Sequence, residues 1–447
     1  MTQNAASNRT VASSYGEHLR EVVRRADHAL ARSGHEQLVV YSGSQGLQFL
    51  DDAHYPFKVN PHFKAWLPVT DNPDCFIVHT PGSRPRLLFH QPVDYWYKPA
   101  SLPDAHWVQH FDLRAIPSLS DARPHLPAKL SRAALIGDVP QEVAGWGFGA
   151  VNPQALLDSL HFARAVKTPY EEECLAAASR RAARGHRAAE HVFRGGGSEY
   201  DAHMAYLEAC GQREEEMPYN NIVAFNENAA VLHYQNLERS PPSAEQRRSF
   251  LIDAGASEAG YACDITRTYS ARKDEFADLV RRFDELQQRL VHAVTPGLDW
   301  RDFQVLAHRE IAAFLRDAGA IRVDIETAVA SGLTNVFFPH GIGHLLGLQV
   351  HDVGGFMRDE SGASIAKPEG QPYLRLTRKL EAGFVVTVEP GVYFIDQLLE
   401  KARDQHANAI DWKRVDQLKP FGGIRIEDDV VVKPHGRRNL TREAFAA

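Results

Sequence analysis

The stretch FFPHGIGHLLGLQVHD, Phe337 to Asp352, carries three histidines: His340, His344 and His351. His340 and His344 have the spacing at which two imidazoles stack on one helix face in the zinc motif H-E-x-x-H. Here the second position is Gly341, not Glu, so the general base of that motif is absent. Gly341 and Gly343 disfavour a helix, and Pro339 stands just ahead of them. The expectation is an irregular loop that brings polar groups close to a ligand, with partners from elsewhere in the chain.

Two pairs of acids are candidate partners. If Glu258 and Ala259 form a hairpin tip, Asp253 in RRSFLIDAG falls opposite Asp264 in CDITRTYS, with Cβ atoms roughly 5 Å apart. Like charges placed so are destabilising unless a cation lies between them; otherwise both acids face solvent on an exposed sheet. Ile252 and Ile265 would point to the other face, into a core. In FVVTVEP, alternation puts Phe384, Val386 and Val388 on one face and Val385, Thr387 and Glu389 on the other. In GIRIED, Ile424 and Ile426 share one face, and Arg425 and Glu427 the opposite one. Burying a lone carboxylate costs on the order of several kcal/mol, which a metal or another cation must offset. The alternative is an edge strand with a wet face. Both LIDAG and TVEPG are acid-bearing strands followed by a Gly turn, and each is followed by a second acid-bearing strand. Two related halves facing one site would explain the echo.

The 447 residues favour two domains, and 44% hydrophobic and 24% charged residues are ordinary for a soluble globular protein. A net charge of −7 offers no basic excess for nucleic acid. The N-terminus lacks an apolar h-region, and no run of about 18 apolar residues could span a bilayer. Four scattered cysteines without a CxxC pair fit a reduced, cytoplasmic chain. Ser13 and Ser14 are expected to cap a helix through EHLREVVRRADHALARS that Gly34 stops. The strand-like pieces LVVYSG, CFIVHT, RLLFH and ALIGD then complete a small α/β domain. A second region begins near residue 166, where Thr168 and Pro169 mark a helix start with acids in its first turn.

Taken together, LIDAG with CDITRTY, PHGIGHLLGLQVHDVGG, TVEPGVYF and GGIRIEDDVVV resemble the metal-dependent Xaa-Pro dipeptidases (prolidases) of the pita-bread metallopeptidase family. The stretch YPFKVNPHFKAWLP, Tyr55 to Pro68, is similar to the prolidase branch, and to bacterial prolidases that also hydrolyse organophosphorus triesters. The resemblance implies a creatinase-like α/β N-terminal domain, residues 1–165, used in dimerisation and as a cleft wall. It implies an α+β pita-bread domain with pseudo-twofold halves, residues 166–447. It further implies five metal ligands, Asp253, Asp264, His344, Glu389 and Glu427, with Asp264 and Glu427 bridging two ions. His340, His351 and His233 (in VLHYQ) would line the cleft, with His233 and His351 hydrogen-bonding the reacting peptide. Arg375 (in YLRLTR) matches the position that reads the substrate carboxylate, for which a planar guanidinium suits. Arg425 matches an active-site arginine, and Tyr219, Trp300 and Leu374 match pocket-lining positions. Asp51 and Trp96 would reach the cleft of a second subunit in a homodimer. Trp300 stands where the organophosphate-active relatives usually have tyrosine, and Leu345 where they have histidine or phenylalanine; both bear on that side activity.

Four carboxylates and one imidazole make a hard, oxygen-rich set that favours Mn²⁺ and balances two divalent ions. Two such ions would share an acidified water that attacks the scissile carbonyl, with Glu389 shuttling the proton to the proline nitrogen. Two alternatives are an aminopeptidase P acting on longer peptides and a noncatalytic pita-bread binding module. Such modules lack the ligand set.

Overall fold

The computed structural model describes residues 2–447. The helix Thr2–Ser33 opens the chain. The expected start at Ser13 and Ser14 is corrected: both lie inside the helix, because residues 2–15 contain no Gly or Pro to break it. Gly34, at φ +74°, ends it. Strands β1 (Gln37–Tyr41), β2 (Phe76–His79), β3 (Arg86–His90), β4 (Asp112–Ile116), β5 (Ala133–Ile136) and β6 (Ala150–Val151) form one mixed sheet. Its order is β4-β3-β2-β1-β5-β6. Leu38 and Val40 of β1 enter one hydrophobic cluster, Val39 and Tyr41 another, so this central strand is buried on both faces.

The helix Gln154–Arg164 leads to the long helix Pro169–Gly195. Thr168 caps the latter in a reciprocal capping box with Glu171, and Pro169 fills its first position. Strands β7 (Ile222–Phe225), β8 (Ser249–Asp253), β9 (Ser257–Glu258), β10 (Tyr261–Ala262) and β11 (Thr266–Ser270) follow. They make a three-stranded sheet, β11-β8-β7, extended by the β9-β10 hairpin. The hairpin tip is Ala259-Gly260, both at positive φ, and not Glu258-Ala259. Asp253 therefore pairs with Thr266, not Asp264. The slip is two residues, so Asp253 and Asp264 still share a face, as diagonal neighbours. Ile252 and Ile265 enter the opposite core.

The second half repeats the device. Strands β12 (Val385–Val388), β13 (Gly391–Tyr393), β14 (Gly423–Arg425), β15 (Asp428–Lys433) and β16 (Gly436–Asn439) give a sheet ordered β12-β15-β16 and a β13-β14 pair. A bridge between Thr266 and Glu427 joins the two halves. The helices Glu275–Ala293 and Trp300–Asp317 back this unit. Phe276, Leu279, Phe283, Leu286 and Leu290 form the buried stripe of the first, sharing one core with Val386, Val388, Ile424 and Ile426. Another cluster runs from Leu38 and Phe63 through Tyr170 and Tyr261 to Leu346 and Val431, so apolar packing also ties the first sheet to the second region. Among the described residues no helix is long and apolar enough to cross a membrane.

Candidate metal centre

A cleft of about 1920 Å³ opens between the two halves and the first sheet's loops. His344 reaches it from an irregular loop laid along β12. Gly343 makes that approach possible, since a Cβ there would meet the Thr387 carbonyl at 2.1 Å. The His344 N–H donates to Thr387 Oγ1 at 3.1 Å, and the Thr387 N–H to the His344 carbonyl at 3.0 Å. The ring is then fixed: Nδ1–H donates to the Leu345 carbonyl at 3.0 Å, turning Nε2 toward the acids. Nε2 lies 3.5 Å from Asp264 Oδ2 and 3.6 Å from Glu389 Oε1. Ligand atoms of Asp264, His344 and Glu427 all fall within 4.8 Å of one another, and all three residues are buried.

Donors are scarce around these acids. The Tyr219 hydroxyl lies 2.8 Å from Asp253 Oδ1 and 2.6 Å from Asp264 Oδ1, yet it has one proton to give. Thr266 Oγ1 donates to Glu427 at 2.7 Å. Thr387 Oγ1 is a long 3.4 Å from Glu389. Burial raises the Asp253 carboxyl to about 6 against the pull of Arg425, and the Glu389 carboxyl to about 7 against that of His344. Burial and the neighbouring Asp264 charge push Glu427 well above its ordinary value. Asp264 stays low because His344 and Tyr219 outweigh its burial. Crowded carboxylates, few protons and an imidazole nitrogen aimed at them are the donor chemistry of a hard divalent cation. The residues present fit such an ion.

Arg425 orients Asp253. Its Nη2 donates to Asp253 Oδ2 at 2.8 Å, Nη1 to the Tyr393 hydroxyl at 2.9 Å, and Nε to Thr266 Oγ1 at 3.2 Å. His340 lines the cleft, but its ring is committed. Nδ1–H donates to the Gly341 carbonyl at 2.9 Å, and Nε2 accepts from Tyr393 at 2.8 Å. Burial, helped by Arg425, pushes it down to about 3.

His233, His351, Arg375 and Tyr219 line the cleft. Arg375 is exposed and makes no hydrogen bond or ion pair among the described residues. The other expected pocket positions are not brought together with them. Trp300 is fully buried against Phe303, in the first turn of its helix, with its indole N–H unpartnered among the described residues. Leu374 lies in the core beneath Gly341, where a Cβ would meet its Cα at 3.0 Å. Asp51 and Trp96 are exposed on loops and do not line the cleft of their own chain. Sequence reasoning missed Tyr393, Thr266 and Thr387. Tyr393 and Thr387 sit in apolar strands, and Thr266 is one of several hydroxyls in TRTYS, so none carries a signal of its partner.

A family model described as "Xaa-Pro dipeptidase, N-terminal domain" matches residues 13–162, and one described as "Metallopeptidase family M24" matches residues 173–434. A Xaa-Pro dipeptidase of Stenotrophomonas maltophilia is 51% identical over 435 residues, covering 97% of each chain. One of Xanthomonas axonopodis is 49% identical over 440 residues, covering 98% of this chain and 99% of its own. Among solved structures, a Pseudomonas aeruginosa aminopeptidase superposes with a TM-score of 0.73 at 24% identity, covering 96% of this chain and 97% of that one. A zinc-substituted Escherichia coli aminopeptidase P in complex with product gives 0.70 at 21% identity, with the same coverage. At these identities the superpositions establish the shared fold.

Proposed function

This chain belongs to metallopeptidase family M24 and carries the N-terminal domain of the Xaa-Pro dipeptidases, and from that premise we propose that it hydrolyses Xaa-Pro dipeptides. The observation that carries the proposal is the convergence of Asp264, His344 and Glu427 within 4.8 Å, with Asp253 and Glu389 beside them in one cleft. These five residues would hold two divalent ions. Four carboxylates balance two such charges, and the oxygen-rich set favours Mn²⁺. Bound there, the ions supply an acidified water and a Lewis acid for the scissile carbonyl.

The protein's own groups do the rest. Glu389 takes a proton from the attacking water and returns it to the proline nitrogen. His351, pushed down to about 3 by loss of solvent and by His344 and Arg375, is neutral and donates one N–H. With His233 it stabilises the tetrahedral oxyanion. Arg375, free of protein acceptors among the described residues, takes the substrate carboxylate in its planar fork. Arg425 holds Asp253 in place. Phosphotriester hydrolysis would be a side activity of the same site.

We divide the chain into residues 1–165, a cleft wall and dimerisation unit, and residues 166–447, the catalytic unit. Phe49, Leu50, Val93, Tyr95, Trp96 and Tyr97 are all exposed, and the His54 and Tyr97 rings meet at 5.6 Å to join their two loops. So apolar a surface supports a homodimer in which Asp51 and Trp96 approach the second subunit's cleft. Four free, buried cysteines fit the reducing cytoplasm. The test is an assay of Gly-Pro, Ala-Pro, a Xaa-Pro tripeptide and a phosphotriester after Mn²⁺ reconstitution. Dipeptides should turn over fastest. Preference for the tripeptide would replace this reading with that of an aminopeptidase.

A further inference from the structure

Behind the histidine loop lies a buried charge cluster that the mechanism above does not use. Asp352 directly follows His351, and its side chain is 0% exposed. Arg164 donates to Asp352 Oδ1 from Nη2, and from Nε at 3.1 Å; Lys167 Nζ donates to Oδ2 at 2.8 Å. Those side chains are 6% and 1% exposed, and they stand at the junction of the helices Gln154–Arg164 and Pro169–Gly195, far from the loop in sequence. Burial favours the neutral acid, yet Arg164 and Lys167 hold Asp352 down to about 2.

Two cations on one buried anion is a poor arrangement for stability alone, since desolvating three charges offsets much of their attraction. It is a good arrangement for fixing a backbone. The Asp352 N–H donates to the Leu345 carbonyl at 2.9 Å, closing the loop that leaves His344. Arg164 Nη2 also holds Gln349 Oε1. Gly347 lets the chains close in: a Cβ there would meet Asp352 Oδ2 at 2.5 Å and Lys167 Cε at 2.8 Å. The segment from Leu345 to Asp352 is thereby pinned to the junction, with the His351 ring edge-on to His344 at 4.4 Å.

We infer that Asp352, clamped by Arg164 and Lys167, is a positioning residue that sets His351 against the reacting peptide. The junction between the two units of the chain thus tunes the site. The inference rests on the role given above to His351.

The test uses the full-length, Mn²⁺-reconstituted protein. Asp352→Asn and Lys167→Met are each made alone and together with His351→Ala. For each, kcat and KM on a Xaa-Pro dipeptide and metal per subunit are measured. Asp352→Asn is expected to lower kcat about tenfold or more, and Lys167→Met severalfold, with bound metal unchanged. In the His351→Ala background neither should cost anything further. If Asp352→Asn does not fold, Lys167→Met carries the test, because it keeps the Arg164–Asp352 pair. Equal fold-losses in both backgrounds would show a merely structural cluster and overturn the inference. A His351→Ala protein with undiminished kcat would instead remove the role of His351, and the inference with it.

Discussion

The two halves of the centre use one device, an acid at the end of one strand and a second acid just before its antiparallel partner, but they are not equally furnished. In the first half, Asp253 receives Arg425 and shares the Tyr219 proton with Asp264, which also faces His344. In the second, Glu427 has Thr266, and among the described residues Glu389 has only the distant Thr387 hydroxyl and two imidazole edges at 3.6 Å. Repetition of backbone geometry therefore does not repeat electrostatics. The second half depends more heavily on bound cations to neutralise its acids.

The comparison breaks most visibly at Glu427. Glu427→Gln should lower activity by more than about 100-fold and release part of the metal, because even an outer-shell change costs roughly 10–100-fold. Unchanged rate and metal content, by elemental analysis, would contradict the assignment. Outside both halves, Arg375→Ala should raise KM for dipeptides roughly tenfold or more and leave C-terminally amidated substrates nearly untouched. Equal effects on both substrates would remove the carboxylate clamp.

The acids also predict a pH dependence. The Glu389 carboxyl sits at about 7 against an ordinary 4.5, and that of Asp253 at about 6 against 3.8, so folding stabilises their protonated forms. Their contribution is complete below about pH 4 and is lost as pH rises through 6 to 7. In chelator-treated protein, this contribution to Tm should fall between about pH 4 and 7, and Mn²⁺ should restore most of the loss at the alkaline end. A Tm indifferent to Mn²⁺ at pH 8 would oppose this. The smallest effect concerns the turn joining the first half's strands. Ala259 holds φ +52°, a left-handed conformation costing about 1 kcal/mol. Ala259→Gly relieves it at some entropic cost in the unfolded chain, for a net gain of about 0.5 kcal/mol by denaturant titration.

The faces of the acids were legible in the sequence because strand alternation has period two. Glu389 and Glu427 were separated from Phe384, Val386, Ile424 and Ile426 by parity alone. The register at Asp253 differs by two residues from the expected one, because the tip is not Glu258-Ala259: Gly260 fills the turn's second positive-φ position. An even slip leaves the face unchanged, so the pairing of acids survived; an odd one would have sent Asp264 into the core. Trp300 was not legible. Its place in the first turn of an amphipathic helix is compatible with a pocket or a core, and packing against Phe303 decides for the core. Tyr393 reads as one more strand aromatic until the fold brings His340 and Arg425 to its hydroxyl. The long helix Thr2–Ser33 shows the opposite failure, a good cap signal at Ser13 overridden by an uninterrupted helical run.

The central claim is that two divalent ions lie among Asp253, Asp264, His344, Glu389 and Glu427. Elemental analysis of protein saturated with Mn²⁺ and freed of excess by gel filtration tests it directly. The account predicts two Mn²⁺ per subunit in the wild-type protein and fewer than two in Glu427→Gln. A wild-type protein that retains none, yet cleaves Xaa-Pro dipeptides at full rate, would contradict it.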